Sequence, residues 1–439
     1  MTLAQAVVDG ADPRELARLE VPSTFRAAYT RKDEVGMFGR VRHGVDGVDK
    51  DITASVHVGE VPMPELGPDE VLVAVMASAV NFNTVWTAMF EPIPTFAFLE
   101  RFGRQDPRHD RDFHVFGSDA SGVVVRTGPA VRRWRIGDRV VVSPAYVDEQ
   151  DPITHSDSML GADLRAWGFE TNYGGMAEFA VVKATQLLAK PRHLTWEEAA
   201  CNMLCASTAY RMLVGERGAR MKQGDVVLIW GATGGLGAYG VQLVRNGGGI
   251  PVGVVSSEEK AALLRRMGCE HVVNRSRFEH LDDEKAWRSF GAEVRRRVGE
   301  DPHIVFEHTG QDTFGASVYV ARRGGSVVTC GSSSGYAHAY DNRHLWMRLK
   351  RIVGSHGANY QECHEVNRLL SLGMLQPTLS AVYPLAETGA AARAVQLNRH
   401  VGKVGVLALA PAEDLGVEDH ALRERIGEDR IRLFRGCTT

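Results

Sequence analysis

The stretch that decides the fold class runs from Asp225-Val226-Val227-Leu228-Ile229 into Trp230-Gly231-Ala232-Thr233-Gly234-Gly235-Leu236-Gly237. Its first part reads as a short apolar strand, and residues 238–244 read as a helix, with a glycine-rich turn between them. Glycines let the backbone approach a pyrophosphate closely, and a helix N-terminus supplies unpaired N–H groups and partial positive charge. The stretch therefore predicts a dinucleotide site, with an ordinary glycine turn as the alternative. The predicted cofactor contacts are Gly231, Thr233, Gly234, Gly235, Leu236 and Gly237.

The residues after this turn alternate between strand and helix patterns. Such alternation predicts an α/β fold with a Rossmann-type, doubly wound parallel sheet. Helices are expected at residues 258–267 and 290–298, among others. The predicted strands cover residues 226–229, 250–255, 271–273, 304–308 and 326–330.

The residues before the turn show a different sequence pattern. Short strand patterns at 71–80, 117–126 and 139–143 are separated by Gly and Pro, which favours a compact β-rich domain. A short helix is expected at 12–20 in an N-terminal extension, and a longer one at 194–213. Thr195 is the predicted N-cap of this longer helix.

The C-terminal residues contain one more helix pattern, at 363–372, and a strand pattern at 402–408. This strand is expected to rejoin the first domain, so that pieces of one domain flank the nucleotide domain on both sides. The predicted division is 1–195, 196–358 and 359–439.

The composition is that of an ordinary globular protein, with 439 residues, 44% hydrophobic, 24% charged and a net charge of −3. We expect no transmembrane segment, no signal peptide and a cytoplasmic location. The charge gives no indication of nucleic-acid binding. The six cysteines form no CxxC pair, which favours free thiols over structural zinc. Cys201 and Cys205 lie four residues apart on the predicted helix, but no histidine is near them.

The end of the second predicted strand of the nucleotide domain indicates which cofactor binds. NAD enzymes usually place an acidic residue there to bind the ribose 2′-hydroxyl. Here the chain has Ser256 and Ser257, followed by Lys260 and, after the next strand, Arg275. Hydroxyls and cations suit a 2′-phosphate, so these four residues predict NADP(H).

Several longer phrases resemble one family. Gly137-Asp138-Arg139-Val140 and Gly174-Gly175-Met176-Ala177-Glu178-Phe179 are similar to the medium-chain dehydrogenase/reductase superfamily. The phrases that resemble crotonyl-CoA carboxylase/reductase and its relatives are Asn81-Phe82-Asn83-Thr84-Val85-Trp86-Thr87, Trp167-Gly168-Phe169-Glu170-Thr171-Asn172, Tyr340-Asp341-Asn342-Arg343 and Gly354-Ser355-His356.

The resemblance implies a β-rich GroES-like catalytic domain and an NADPH-dependent reductive carboxylation. In that reaction a hydride adds to the β-carbon of a 2-enoyl-CoA, and the resulting enolate attacks CO2 at the α-carbon, giving an alkylmalonyl-CoA. The family's CO2 residues correspond to Asn81, Phe169, Glu170 and His356. Asn81 would donate to CO2, Phe169 would shield it and offer its backbone N–H, His356 would hold a water, and Glu170 would anchor neighbouring groups. The alternatives are a turn residue for Asn81, core packing for Phe169, a surface acid for Glu170 and a structural histidine for His356.

A metal is not expected. Zinc alcohol dehydrogenases of the superfamily carry Gly-His-Glu where this chain has Gly117-Ser118-Asp119, so the histidine ligand is missing. No other Cys, His and Glu set has zinc-ligand spacing.

Two positions are smaller than is usual in relatives that act on four-carbon substrates. Ala166 stands where an isoleucine-like residue is usual, and Gly357 where phenylalanine is usual. If both line the acyl pocket, the substrate is longer than crotonyl-CoA, for example a medium-chain 2-enoyl-CoA. For Gly357 a backbone turn is the alternative. The candidate cations for the CoA phosphates are Arg343, Arg348, Lys350, Arg351, Arg101, Arg104, Arg108 and Arg111.

Two other functions stay open at this point. One is an NADPH-dependent enoyl-thioester or quinone reductase that protonates the enolate instead of carboxylating it. The other is a non-catalytic protein that retains the nucleotide site. The resemblance also implies a homodimer or a tetramer built from two dimers.

Overall fold

The computed structural model describes residues 1–39, 48–278, 281 and 283–437. Within them the chain forms two compact units. One comprises residues 1–39, 48–204 and 359–437, and the other comprises residues 205–358. We call them the catalytic unit and the nucleotide unit. No helix among these residues is long and apolar enough to cross a bilayer.

The catalytic unit begins with two short helices and is otherwise rich in strands. Asp12 caps the second helix, where its carboxylate accepts from the N–H groups of Arg14 and Glu15. The helices are α1 (Leu3–Val8), α2 (Pro13–Arg18), α3 (Phe82–Met89), α4 (Thr95–Gly103) and α5 (Trp196–Ala200). The strands are β1 (Thr24–Arg31), β2 (His57–Pro62), β3 (Glu70–Val80), β4 (Phe113–Val115), β5 (Ala120–Thr127), β6 (Arg139–Val142), β7 (Ala145–Tyr146), β8 (Arg165–Ala166), β9 (Phe179–Lys183) and β10 (Leu187–Ala189).

The nucleotide unit alternates strands and helices, as predicted. After α6 (Met203–Leu213), which begins in the catalytic unit, the chain forms a sheet whose first strand leads into the glycine turn. The elements are β11 (Val226–Ile229), α7 (Gly235–Asn246), β12 (Ile250–Val255), α8 (Glu258–Arg266), β13 (His271–Asn274), α9 (Glu284–Val298), β14 (Ile304–Glu307), α10 (Phe314–Val320), β15 (Ser326–Thr329), α11 (Asn342–Trp346) and β16 (Arg351–Gly354).

The C-terminal segment returns to the catalytic unit. Its elements are α12 (Tyr360–Ser371), β17 (Leu379–Pro384), α13 (Thr388–Gln396), β18 (Lys403–Leu407), α14 (His420–Ile426) and α15 (Glu428–Ile431). β18 pairs antiparallel with β3, Val404 opposite Val80, so this strand is part of the main sheet of the catalytic unit.

A seven-stranded sheet forms the core of the catalytic unit. β3 lies at its centre, with β5, β6 and β10 on one side and β18 and β17 on the other, while β9 also pairs with β3. All eleven residues of β3 are buried. Its sequence is almost continuously apolar because both faces of the strand are covered.

The sheet of the nucleotide unit has six parallel strands in the order β13-β12-β11-β14-β15-β16. This is the 3-2-1-4-5-6 order of a dinucleotide-binding sheet, in which the ligand lies at the carboxyl ends of the strands. On one face, Trp230 stacks on Phe290 with ring centroids 4.9 Å apart. The predicted doubly wound sheet is confirmed.

One sequence-based expectation about elements is wrong, and several elements of the structure, β16 among them, were not expected. The single helix expected at 194–213 is two helices, α5 and α6, because the side chain of Asn202 donates to the carbonyls of Glu198 at 2.7 Å and Ala199 at 3.2 Å. A side-chain amide bonded in this way competes with the helix ladder. Cys201 and Cys205 therefore do not share a helix.

Candidate functional site

The glycine turn after β11 has the backbone geometry that a pyrophosphate site requires. Gly231 has a φ of +52°, which favours glycine, and Gly234 is the N-cap of α7. A Cβ added to Gly237 would lie 2.3 Å from the carbonyl oxygen of Gly231, so no side chain fits there. Thr233 is buried within this turn. The N-terminal N–H groups of the twelve-residue helix α7 therefore lie beside glycine backbone that carries no side chains, so a pyrophosphate can approach them closely.

At the end of β14, His308 bonds this turn and Glu307 holds the loop that follows the strand, and sequence reasoning missed both. The ring Nε2 of His308 bonds the carbonyl oxygen of Trp230 at 2.8 Å. Burial lowers the pKa of His308, so its ring is neutral and Nε2–H is the donor. The neighbouring Glu307 is fully buried, and its Oε1 accepts from the N–H groups of Thr309 at 2.8 Å and Gly310 at 3.0 Å. The only signal available in the sequence was that both lie at the end of a buried parallel strand.

The end of β12 gathers the residues predicted to bind a 2′-phosphate. Ser257 caps α8, its hydroxyl accepting from the N–H of Lys260. The ammonium of Lys260 lies 3.4 Å from the hydroxyl of Ser256. Burial, and then the charge of Arg275, lower the pKa of Lys260, so the two cations are close enough to repel each other. Gathered like charges of this kind are stabilised when an anion binds between them.

The acid next to this group is already paired. Glu258 accepts from Asn274 Nδ2 at 3.0 Å and from Arg277 at 3.3 Å. These bonds lower the pKa of Glu258, the one from Asn274 most. Arg277 and Asn274 therefore offset the negative charge of Glu258, so the end of β12 can still bind an anion.

Asn81 lies between the end of β3 and the start of α3, which it N-caps. It is buried, and its carboxamide is held at both ends. Nδ2 donates to Asp119 Oδ2 at 2.8 Å, and Oδ1 accepts from the ammonium of Lys403. Asp119 and Lys403 also pair with each other at 3.1 Å. Asn81 is thus part of a buried charged cluster and not a solvent-exposed turn.

Phe169 and Glu170 lie in the tight turn that follows β8. The ring of Phe169 lies 6.5 Å from that of Trp86 and 6.0 Å from that of Phe98, centroid to centroid. Trp86 is in α3, the helix that Asn81 caps. Asn81 therefore lies at the start of the helix whose side chain Trp86 contacts Phe169. The backbone N–H of Phe169, predicted to be offered to CO2, donates to the carbonyl of Ala166 at 3.1 Å.

Glu170 is half-buried and bonded to the same loop. Its Oε2 accepts from the N–H of Ala166 at 2.8 Å, and its own N–H donates to the carbonyl of Ala166 at 2.8 Å. This pair of bonds fixes the loop that carries Phe169. Glu170 is therefore not simply a solvated surface acid, because its carboxylate is bonded to the backbone N–H of Ala166.

His356 and Gly357 belong to the nucleotide unit, directly after β16, whereas Asn81, Phe169 and Glu170 belong to the catalytic unit. The side chain of His356 is exposed. Gly357 has a φ of +51°, a conformation that side chains disfavour. A backbone turn alone therefore accounts for glycine at this position.

Three of the cations considered for the CoA phosphates are engaged within the chain by an ion pair or by more than one hydrogen bond. Arg108 pairs with Glu70 at 2.7 Å and with Asp106, and Arg343 pairs with Asp341 at 2.5 Å. The ammonium of Lys350 donates to the carbonyls of Val318 and Tyr319. These bonds argue against all three as phosphate ligands.

Within the described ranges, one group has three potential metal-binding side chains close together, namely Glu284, Asp341 and His344. Its two carboxylates are engaged by arginines, Glu284 by Arg288 at 2.6 Å and Asp341 by Arg343 at 2.5 Å. The Gly117-Ser118-Asp119 phrase does not contribute to this group.

The fold and the turn define a class of protein. A β-rich unit with a returning C-terminal strand and a six-stranded dinucleotide-binding sheet together form the medium-chain dehydrogenase/reductase fold. Family models agree: residues 67–192 match the alcohol dehydrogenase GroES-like domain, and residues 235–371 match the zinc-binding dehydrogenase model.

Individual relatives narrow the class. The chain is 54% identical to a crotonyl-CoA reductase of Streptomyces collinus over 96% of both proteins. It is 38% identical to the crotonyl-CoA carboxylase/reductase of Cereibacter sphaeroides, over 86% of this chain and 87% of that one. It is also similar to the 2-octenoyl-CoA carboxylase reductase CinF, solved with NADP and 2-octenoyl-CoA, at 58% identity and a TM-score of 0.96 over the whole of both chains. The chain belongs to the crotonyl-CoA carboxylase/reductase family.

Proposed function

We propose that this enzyme carries out the NADPH-dependent reductive carboxylation of a 2-enoyl-CoA longer than crotonyl-CoA. The observation that carries the proposal is the buried carboxamide of Asn81, held at both ends at the start of α3, the helix whose Trp86 ring contacts Phe169. NADPH supplies a hydride to the β-carbon of the substrate, which leaves the α-carbon as the nucleophile that bonds to CO2. The protein must then orient CO2 and exclude water, because a proton from water would end the reaction as a simple reduction.

Asn81 suits the orienting task. CO2 offers two weak acceptor oxygens, which gain negative charge as the new carbon–carbon bond forms. A fixed N–H donor aimed at such an oxygen stabilises the transition state more than the ground state. We assign Phe169 to the exclusion of water, Glu170 to anchoring the loop that carries Phe169, and His356 to holding a water near the second oxygen. We assign no metal, because Asp119 pairs with the ammonium of Lys403.

The competing function is a non-carboxylating reductase with the same cofactor. Product analysis by mass separates the two: carboxylation adds one hydride and one CO2 to each acyl-CoA, whereas reduction adds two hydrogens. With 2-octenoyl-CoA, NADPH and bicarbonate we expect the carboxylated product to dominate. A product that stays two mass units above the substrate at saturating bicarbonate would establish the reductase.

The cofactor choice gives a prediction with a matched control. Replacing both Lys260 and Arg275 by alanine is expected to raise the KM for NADPH by at least roughly 100-fold, since charge-assisted hydrogen bonds contribute about 1.5–3 kcal/mol each. The KM for NADH should change less than threefold. Arg266→Ala is the control, because Arg266 lies on the same helix, α8, with its side chain exposed. Equal losses with NADPH and NADH would contradict the assignment of a 2′-phosphate site.

The acyl-chain length gives a second prediction. Ala166→Ile fills the space that we assign to the distal part of the chain, and a pocket discriminates by about 1–3 kcal/mol per methylene. We expect the ratio of kcat/KM for 2-octenoyl-CoA to that for crotonyl-CoA to fall at least about tenfold. The similarity to CinF supports the longer substrate. A wild-type preference for crotonyl-CoA would overturn this part of the proposal.

We also propose a homodimer, or a tetramer of two dimers. The strand β16 is the last of its sheet within the described residues. Exposed edge strands with apolar neighbours favour pairing with another chain. Light scattering should give at least a dimer, and Ile352→Lys should shift it toward the monomer. A monomeric wild type would contradict the proposal. The exposed apolar residues beside this edge are Trp346, Met347, Leu349 and Ile352.

A further inference from the structure

Lys403, the first residue of β18, is a buried cation whose role the proposed reaction does not explain. Its side chain is 3% exposed, and its ammonium donates to the carbonyl of Val80 at 2.8 Å, to Asp119 Oδ2 at 3.1 Å and to Asn81 Oδ1. Burying an ammonium is costly unless it is paired and hydrogen-bonded, and these acceptors meet that condition. A structural tie between β18 and β3 would not need a contact with Asn81.

Asp119 completes the cluster from the other side. It is fully buried, and its Oδ1 accepts from the N–H of Leu204 at 2.9 Å. Its Oδ2 accepts from both Asn81 Nδ2 and Lys403. The main-chain carbonyl of Asp119 accepts from the hydroxyl of Ser78 at 2.7 Å. The carboxylate of Asp119 is therefore held in place by partners other than Asn81.

The two ends of an asparagine amide are chemically opposite, and this cluster distinguishes them. An ammonium can only donate, so it must face Oδ1, and a carboxylate can only accept, so it must face Nδ2. If the amide of Asn81 were flipped, donor would face donor and acceptor would face acceptor. Lys403 and Asp119 therefore permit one orientation of this amide.

We infer that Lys403 and Asp119 are positioning residues for carboxylation, which fix the amide of Asn81 in one orientation and so set the direction of the N–H that we assign to CO2. The ammonium on Oδ1 also draws electrons from the amide, which makes its N–H groups stronger donors toward the developing carboxylate. The inference rests on the proposed role of Asn81 in binding CO2. It assigns no contact between substrate and either positioning residue.

The test measures how the enzyme partitions each turnover between carboxylated and merely reduced acyl-CoA at a fixed, subsaturating bicarbonate concentration. This ratio is internal to each turnover, so a general loss of folded or active enzyme does not change it. Asp119→Asn combined with Lys403→Met removes both charges together, because removing only one leaves an unpaired buried charge. We expect this double variant to lower the ratio of carboxylated to reduced product roughly tenfold, since a loosely oriented donor loses part of its effect.

The link through Asn81 is tested by adding Asn81→Ala to the double variant. If the positioning residues act through Asn81, the triple variant should give the same product ratio as Asn81→Ala alone, because substitutions that disrupt the same interaction do not have additive effects. A further loss of about tenfold in the triple variant would overturn the inference, since independent effects multiply. So would a double variant that partitions like the wild type. If Asn81→Ala alone leaves the ratio unchanged, the proposed role of Asn81 fails instead, which keeps the two failures apart.

Two further variants distinguish a loss of positioning from a loss of folded protein. Lys190 is another buried lysine, bonded to the carbonyls of Pro191 and Gly416, and Lys190→Met should lower the melting temperature without changing the ratio. If the double variant does not fold, Asp119→Asn combined with Lys403→Gln removes the same two charges and keeps a hydrogen-bonding side chain at both positions. This second double variant should still lower the ratio severalfold, and a wild-type ratio would overturn the inference.

Discussion

Replacing Asn81 by alanine is expected to convert the enzyme largely from a carboxylase into a reductase. The substitution removes the donor that we assign to CO2 and leaves the cofactor site of the nucleotide unit untouched. Removing one preorganised donor of this kind costs about 10²–10³ in rate. We therefore expect the ratio of carboxylated to reduced product to fall by roughly 100-fold, while NADPH oxidation continues.

The measurement is product analysis at matched NADPH consumption. Thr84 also lies at the start of α3 and is buried, so Thr84→Val serves as a control for disturbance of this helix start. The control should change the ratio less than about threefold, since it leaves the carboxamide in place. An Asn81→Ala enzyme that still forms mainly the carboxylated product would remove Asn81 from the site.

Replacing Arg423 by methionine is expected to destabilise the catalytic unit by about 3–5 kcal/mol, the usual cost of breaking a buried ion pair. Arg423 in α14 donates to both carboxylate oxygens of Glu198, at 2.7 and 3.0 Å, and to the carbonyl of His193. Its side chain is 7% exposed and that of Glu198 is 1% exposed. Without the guanidinium, Glu198 is a buried charge with its main partner removed.

Thermal and urea unfolding followed by circular dichroism measure this loss. Arg425→Met is the matched control, because Arg425 lies on the same helix with its side chain exposed, and it should cost less than about 0.5 kcal/mol. Combining Arg423→Met with Glu198→Gln should recover part of the stability, since both charges are then gone. An Arg423→Met protein as stable as the control would mean that the pair does not hold the C-terminal helices.

The parts of the fold that the sequence predicted well are those set by local chemistry. The strand at 226–229 and the strand at 250–255 have the predicted bounds, because each is a short apolar run ended by a turn. The predicted dinucleotide sheet follows from the glycine turn, where a positive φ at Gly231 and the close approach at Gly237 exclude other residues.

The missed elements lack such local signals. β16 is only four residues long, begins with an arginine and is largely exposed, so neither apolar alternation nor burial indicated a strand. The break between α5 and α6 depends on the side chain of Asn202 turning back onto the carbonyl of Glu198. A helical pattern in the sequence does not record that choice, because asparagine in a helix interior also occurs with its side chain pointing to solvent.

The candidate site was predictable in its residues but not in its contacts. The resemblance pointed to Asn81, yet Asp119 and Lys403 are 38 and 322 residues away in the sequence. In the sequence, Asp119 stood out only as part of a phrase without the zinc-ligand histidine, and Lys403 was only one residue of the strand pattern at 402–408. Their common contact with Asn81 arises when β18 pairs with β3, a pairing set by the whole sheet.

The central claim is that the enolate formed in this site bonds to CO2 before it meets a proton. The most direct test incubates the enzyme with NADPH, 2-octenoyl-CoA and ¹⁴C-bicarbonate, and then compares acid-stable label with NADPH oxidised. We predict close to one acid-stable label for each NADPH consumed. Full NADPH oxidation with no acid-stable label would contradict the account.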